Sequence, residues 1–232
     1  MFSPNRLLMA LPRDVQARLL AHAQRVSVPR RTVLSDVGDT FRYAYFPLNG
    51  MVSLLSMTED GNTVEVATSG NDGMIGLPIL LSSAQAPYLV SVQLPTDVLR
   101  LSAENLRLEL SRGPALHSVL TDYMQRLLGN MAQMAVCYRF HTVRQRLCRW
   151  LLTVRDRAEG NTLALTQESI AQTLGVPRTG VTAVAVELQD AGAIRCRHGQ
   201  ITVLNRAPLE AGSCECYRVL RHDAQAHVSS LR

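Results

Sequence analysis

The spacing of apolar residues changes character twice along the chain. As far as about Gly113, apolar residues come mostly in short runs broken by turn residues: RTVLSDVGD, YAYFPLNGMVSLLSM, TVEVATSGNDG and YLVSVQLPTDVLRLS. Short β-like runs with turn signals this close predict an antiparallel barrel or roll. Asp60-Gly61, inside EDGN, tolerates positive φ and suits a hairpin turn. A short amphipathic helix precedes the strands, opening at Leu11-Pro-Arg-Asp with Val15, Leu19 and Leu20 at helical spacing.

From Pro114 to about Arg139 the period becomes helical. Pro114 fits a first helical turn. Leu116, Leu120, Tyr123, Leu127, Met131 and Met134 recur at steps of three and four, close to a heptad seam. Such a seam can pack on the chain's own core or on a twin. A second apolar line (Val119, Leu128, Ala132, Ala135) gives the helix two faces, so the seam is expected to pair two copies into a homodimer.

Beyond Phe140, TVRQRLCRWLLTVRDRA predicts a helix with Val143, Leu147, Trp150, Leu151 and Val154 on one side. LALTQESIAQTLGVPRTGVTAVAVELQDAGAI follows. Thr166, with Glu168-Ser169 after it, caps a short helix over 167–174. Gly175 breaks that helix and Val176 is expected to plug the space between helices. Pro177 opens a second helix over about 178–191, with Val181, Val184 and Leu188 inward. AIRCRHGQITVL then offers two β runs around His198-Gly199. A hairpin directly after the second helix makes a winged helix-turn-helix, which points to double-stranded DNA.

In that geometry the first turns of the second helix enter the major groove. Pro177, Arg178, Thr179 and Thr182 would lie on its exposed face, and Arg178 matches the O6/N7 edge of guanine. Thr166 and Gln167 would bind phosphate. The alternative is a β-roll sensing or interaction module whose C-terminal helices bind protein.

Charge agrees with the DNA reading. The 232 residues carry a net +5, all of the basic residues are Arg, and residues 140–206 hold nine arginines against five acids. A local basic excess suits a polyanion. No apolar run is long enough to span a membrane and no cleavage site follows Met1, so a cytoplasmic protein is expected. Five scattered cysteines do not make a disulfide framework. No Ser/His/Asp, Cys/His or paired-carboxylate arrangement predicts an enzyme.

With these pieces in place, the chain resembles the Crp/Fnr family of transcription regulators over about residues 10–206. YFPLNGMVSLL, TVEVATSGNDGMIG, VRQRLCRWLL and LTQESIAQTLGVPRTGVTAVAVELQDAGAI carry the resemblance. It implies an α+β architecture: a double-stranded β-roll sensor over 1–113, a long dimerisation helix over 114–139, a winged helix-turn-helix over 140–206 and a tail over 207–232. It further implies a homodimer on near-palindromic promoter DNA, RNA polymerase as a partner, and an effector in the roll. Arg178 falls on the family's recognition-helix arginine.

The family's cyclic-nucleotide cassette uses Gly-Glu and then Arg-Ser to hold ribose and cyclic phosphate. Here those positions are Gly76, Leu77, Pro87 and Tyr88, and the purine-facing hydroxyl positions on the long helix are Met131 and Ala132. A buried phosphate without its cation loses a charge-assisted bond worth about 1.5–3 kcal/mol. The expected effector is therefore some other small molecule, or none. The family's iron–sulfur and haem ligands find no counterpart, since the first cysteine is Cys137 and His117 is a lone histidine near a helix start. Cys214-Glu-Cys216, with His222 after it, reads as an incomplete metal site in a tail. Neither a metal nor a cofactor is expected.

Overall fold

The computed structural model describes residues 5–81 and 83–221. They fall into two units: residues 5–54 with 67–129, and residues 55–66 with 130–221.

The first unit begins with α1 (Arg6–Met9) and α2 (Arg13–His22). Asn5 caps α1: its Oδ1 accepts from Leu7 N and Leu8 N, and its Nδ2 donates to Pro47 O at 2.9 Å and Gly73 O at 2.8 Å. A buried amide so fully bonded fixes the start of α1 against Pro47 and Gly73. On α2, Val15 and Leu19 are buried as their spacing predicts, whereas Leu20 faces solvent.

Seven strands follow: β1 (Gln24–Val28), β2 (Val33–Ser35), β3 (Tyr43–Pro47), β4 (Met51–Met57), β5 (Thr63–Ser69), β6 (Leu89–Leu94) and β7 (Thr96–Ser102). They form a three-stranded sheet, β1-β7-β3, and a four-stranded sheet, β2-β6-β4-β5. The three-stranded sheet is antiparallel, with Val26 opposite Val98 and Phe46 opposite Leu99. Phe46, Met51, Leu54, Val90, Val98 and Leu101 are buried. This is the antiparallel roll that the short runs predicted. One helix was hidden by them: α3 (Ala103–Ser111), capped by the Ser102 side chain.

Next comes α4 (Pro114–Phe140). The seam expected to pair two copies is used within the chain. Leu116, Leu120, Tyr123 and Leu127 are buried in the first unit and Met134 in the second, with Met131 half-buried. What stays exposed is the weaker line, Leu128, Ala132 and Ala135, continued by Val136 and Phe140.

The second unit contains the tip of the β4–β5 hairpin and the end of α4. Then come α5 (Val143–Arg157), β8 (Thr162–Leu163), α6 (Gln167–Leu174), α7 (Arg178–Asp190), β9 (Ile194–Arg197), β10 (Gln200–Val203) and α8 (Arg206–Gly212). Thr142 caps α5 in a reciprocal capping box with Gln145. Leu147, Trp150, Leu151 and Val154 are buried as predicted. The segment read as a tail contains α8, packed on α5, and a helical stretch over residues 216–221. His222 lies outside the described residues.

Candidate nucleic-acid interface and effector cassette

The helix pair is built by its caps. Ser169 N donates to Thr166 Oγ1 at 3.1 Å and Thr166 N to Ser169 Oγ at 3.2 Å, which starts α6. Gly175 ends it in the left-handed region (φ 60°, ψ 47°), its N–H reaching Ala171 O and Gln172 O. α7 starts three residues later, behind Pro177. Ile170, Leu174, Val181, Val184 and Leu188 are buried. Val176, expected as the plug, is only half-buried.

The outer side of α7 is polar at its start. Pro177, Arg178 and Thr179 are exposed. Arg178 Nε stands 4.0 Å from Glu168 Oε2, with side chains 66% and 57% exposed. Solvent screens such a pair to little net energy. Thr182 is half-buried instead of outward. Its Oγ1 lies 2.8 Å from Gln167 Oε1 and 3.0 Å from Arg178 O, so it ties α7 to the start of α6.

The β strands of this unit pair in the order β8-β10-β9. His198 (φ 48°) and Gly199 (φ 73°) make the two-residue turn between Arg197 and Gln200. Two successive positive φ values match a twist-compatible hairpin turn. Arg195, Arg197 and His198 of this wing are exposed.

The hairpin tip underpins the helix-turn-helix, which nothing in the apolar pattern announced. A Cβ on Gly175 would stand 3.1 Å from both Cβ and Cγ2 of Val64. Thr63 Oγ1 donates to Gln172 O at 3.1 Å. Glu65 is buried in the strand; Trp150 Nε1 donates to its Oε2 at 3.3 Å and Tyr138 OH to its backbone O. Burial, with Glu65 adding, pushes the Tyr138 phenol upward. Arg146 donates to Leu174 O and lies 4.6 Å over the Tyr138 ring. The one available signal was an acid set inside the apolar strand TVEVATS.

The stretch that the resemblance matches to the family's cassette carries no charge at Gly76, Leu77, Pro87 or Tyr88. Gly76 has φ 98°, and a Cβ there would meet Tyr43 O at 3.0 Å. Leu77 begins a buried 3-10 turn over Leu77–Leu80. Tyr45 and Ile75 exchange backbone hydrogen bonds at 3.0 and 2.8 Å. Tyr123 OH lies 3.1 Å from Met74 O and 3.3 Å from Ser69 Oγ. Pro87 is exposed and Tyr88 half-buried, its phenol pushed upward by burial. Met131 and Ala132 lie in the second unit, half-buried and exposed. A cavity of about 380 Å³ opens in the first unit, lined by Leu34, Asp39, Phe41, Arg42, Tyr43 and Tyr45 among others.

Cys214 and Cys216 are both buried, and their sulfurs meet Cys137 Sγ, from the last turn of α4, and a ring nitrogen of His141, the residue just after it. The C-x-C had been noticed in the sequence. The four-residue Cys137–His141 spacing, which puts both on one helix face, was the signal passed over.

Residues 25–112 match the cyclic nucleotide-binding domain family, and residues 145–211 match the Crp-like helix-turn-helix domain family. The CRP-like protein Clp of Xanthomonas oryzae pv. oryzae is 23% identical over 209 residues, covering 84% of this chain and 90% of Clp. Among solved structures, the c-di-GMP-responsive global regulator CLP of Xanthomonas campestris matches with a TM-score of 0.67 at 19% identity, over 84% of this chain and 100% of that one. A transcriptional regulator of the crp/fnr family from Eubacterium rectale matches with a TM-score of 0.70 at 17% identity, over 91% and 97%. No helix among the described residues is long and apolar enough to cross a membrane.

Proposed function

The chain belongs to the Crp/Fnr family of transcription regulators, and from that membership we propose a cytoplasmic homodimer that binds near-palindromic promoter DNA with the first turn of α7 in the major groove. The observation that carries this reading is the two-sidedness of α7. Val181 and Leu188 are buried, while Pro177, Arg178 and Thr179 stand exposed at its start. Arg178 reads guanine through its planar fork. Thr166 and Gln167 approach the phosphate backbone, and Thr182 braces Gln167. The basic wing residues Arg195 and Arg197 add sequence-independent attraction. The copies pair through the exposed line Leu128, Ala132, Ala135, Val136 and Phe140 of α4. RNA polymerase is the expected further partner.

The effector is not a conventionally bound cyclic nucleotide. Gly76 keeps the turn, but Leu77 and Pro87 supply neither the acid nor the cation that ribose and cyclic phosphate require, Tyr88 is a bulky phenol, and Met131 and Ala132 offer no hydroxyl to a purine.

Fluorescence anisotropy on the protein's own promoter region tests the DNA reading. Binding should weaken steeply with salt, and Arg178→Ala should cost about 1–3 kcal/mol of specific affinity. Salt-independent or absent binding, or an Arg178→Ala variant as tight as wild type, would transfer the function to protein recognition. A thermal-shift series with cyclic AMP and c-di-GMP tests the cassette. A strong shift with cyclic AMP overturns that part.

A further inference from the structure

We propose that Cys137, His141, Cys214 and Cys216 form a closed tetrahedral site for zinc, built entirely within the second unit. Cys137 and His141 lie one turn apart at the end of α4. Cys214 and Cys216 follow α8. The four donor atoms lie within 4.8 Å of one another. Cys137 Sγ is 3.7 Å from Cys214 Sγ, and Cys216 Sγ is 3.6 Å from His141 Nδ1. Around a zinc with metal–sulfur bonds of about 2.3 Å and metal–nitrogen bonds of about 2.0–2.1 Å, tetrahedral edges come to about 3.8 Å and 3.6 Å.

The surroundings complete the design. With Nδ1 turned to the metal, His141 presents Nε2 to Glu215 Oε2 at 3.2 Å, the carboxylate–histidine arrangement that fixes ring tautomer and orientation. Gln133 Nε2 donates to Cys216 Sγ at 3.1 Å. Arg149 is 1% exposed, and its Nε and Nη2 have no hydrogen-bond partner among the described residues. Burial works against that guanidinium, while the Cys137 sulfur, ahead of Tyr138, Glu65 and Cys214, favours its charge. Three thiolates and Zn²⁺ leave one net negative charge, which Arg149 balances. With all four positions taken by protein, the metal is structural: it ties the segment after α8 to α4.

The test uses the full chain purified without chelators or metal-affinity resin. Elemental analysis should find about one zinc per chain. Co²⁺ exchanged into the site should give tetrahedral d–d bands and thiolate charge-transfer absorption. Cys214→Ser and His141→Ala should lose the metal, while Cys196→Ser, outside the cluster, should keep it. Should the ligand variants fail to fold, the wild type still decides. Titration with a mercurial should release zinc to an indicator as the thiols react. A metal-free chain that gives no cobalt spectrum overturns the proposal, as does zinc retained in folded Cys214→Ser. Recovery of a Cys137–Cys214 disulfide from anaerobically purified protein also overturns it. None of these results touches the DNA reading, which rests on α7.

Discussion

Replacing Gly175 by Ala separates two energies at the turn between α6 and α7. Gly175 sits at φ 60°, ψ 47°. A residue with a Cβ is disfavoured there by about 1–2 kcal/mol. The new methyl would also stand 3.1 Å from Cβ and Cγ2 of Val64, tight enough to force a shift in the hairpin tip. Mild overpacking of that kind costs about 1 kcal/mol, at the low end of its range. The loss of freedom in the unfolded chain works the other way, by about 0.4–1 kcal/mol. Gly175→Ala should therefore destabilise the second unit by about 1–2.5 kcal/mol. Urea unfolding followed by tryptophan fluorescence reads this unit alone. Trp150 is the sole tryptophan, fully buried and bonded to Glu65. Adding Val64→Ala to Gly175→Ala removes Cγ2, one of the two close contacts, and leaves Cβ free to shift, so the double-mutant cycle should show a favourable coupling of about 0.5 kcal/mol. A Gly175→Ala variant as stable as wild type would refute the backbone argument. Additive effects of the two substitutions would refute the packing of the hairpin tip on the turn.

Three further outcomes follow from side chains elsewhere in the two units. Leu128→Glu places a charge on an α4 side chain that is 61% exposed in the single chain, so analytical ultracentrifugation should find the 25.6 kDa chain where the wild type sediments as a pair. Tyr123→Phe strips a buried hydroxyl from Met74 O and Ser69 Oγ and should lower first-unit stability by about 1–3 kcal/mol in hydrogen exchange of the cassette amides. Burial lifts the Asp156 carboxyl, but Arg206 and Tyr217 outweigh it and leave its pKa below the ordinary value near 4. The native state thus holds fewer protons than the unfolded one. This stabilisation is complete above about pH 4 and fades as pH falls through the folded pKa. Segment 206–221 should loosen in acid, and Asp156→Asn should flatten that dependence.

The elements were legible where local chemistry decides them. Turn pairs such as Asp60-Gly61 and His198-Gly199 marked hairpins, and the Thr166 cap with the Gly175 break marked α6 on both sides. α3 escaped because its apolar residues follow β7 without a break, and only the Ser102 cap separates them. Glu65 escaped for a different reason. An acid in a strand reads as a solvent-facing residue, and only the tertiary fold brings Trp150 Nε1 to it. Thr182 was assigned outward by helical period, yet a hydroxyl at a helix edge also finds a neighbouring side chain such as Gln167.

The long helix shows where periodicity stops informing. A stripe at steps of three and four says that one face is buried; it does not say by what. The strongest stripe on α4, Leu116 to Met134, has the most apolar area to remove from water, and the nearest apolar surface belongs to the chain itself. Intramolecular packing has no association entropy to overcome, so it claims that stripe first. A twin is left with the second-best line, and Leu128, Ala132 and Val136 match this in being smaller or fewer. The cysteine cluster obeys the same logic in reverse. Cys137 and Cys214 are separated by 77 positions and carry no shared period. Each half, a C-x-C or a Cys and His one turn apart, is a weak signal alone. Closure of α8 against α5 brings the two halves together as four donors within 4.8 Å of one another.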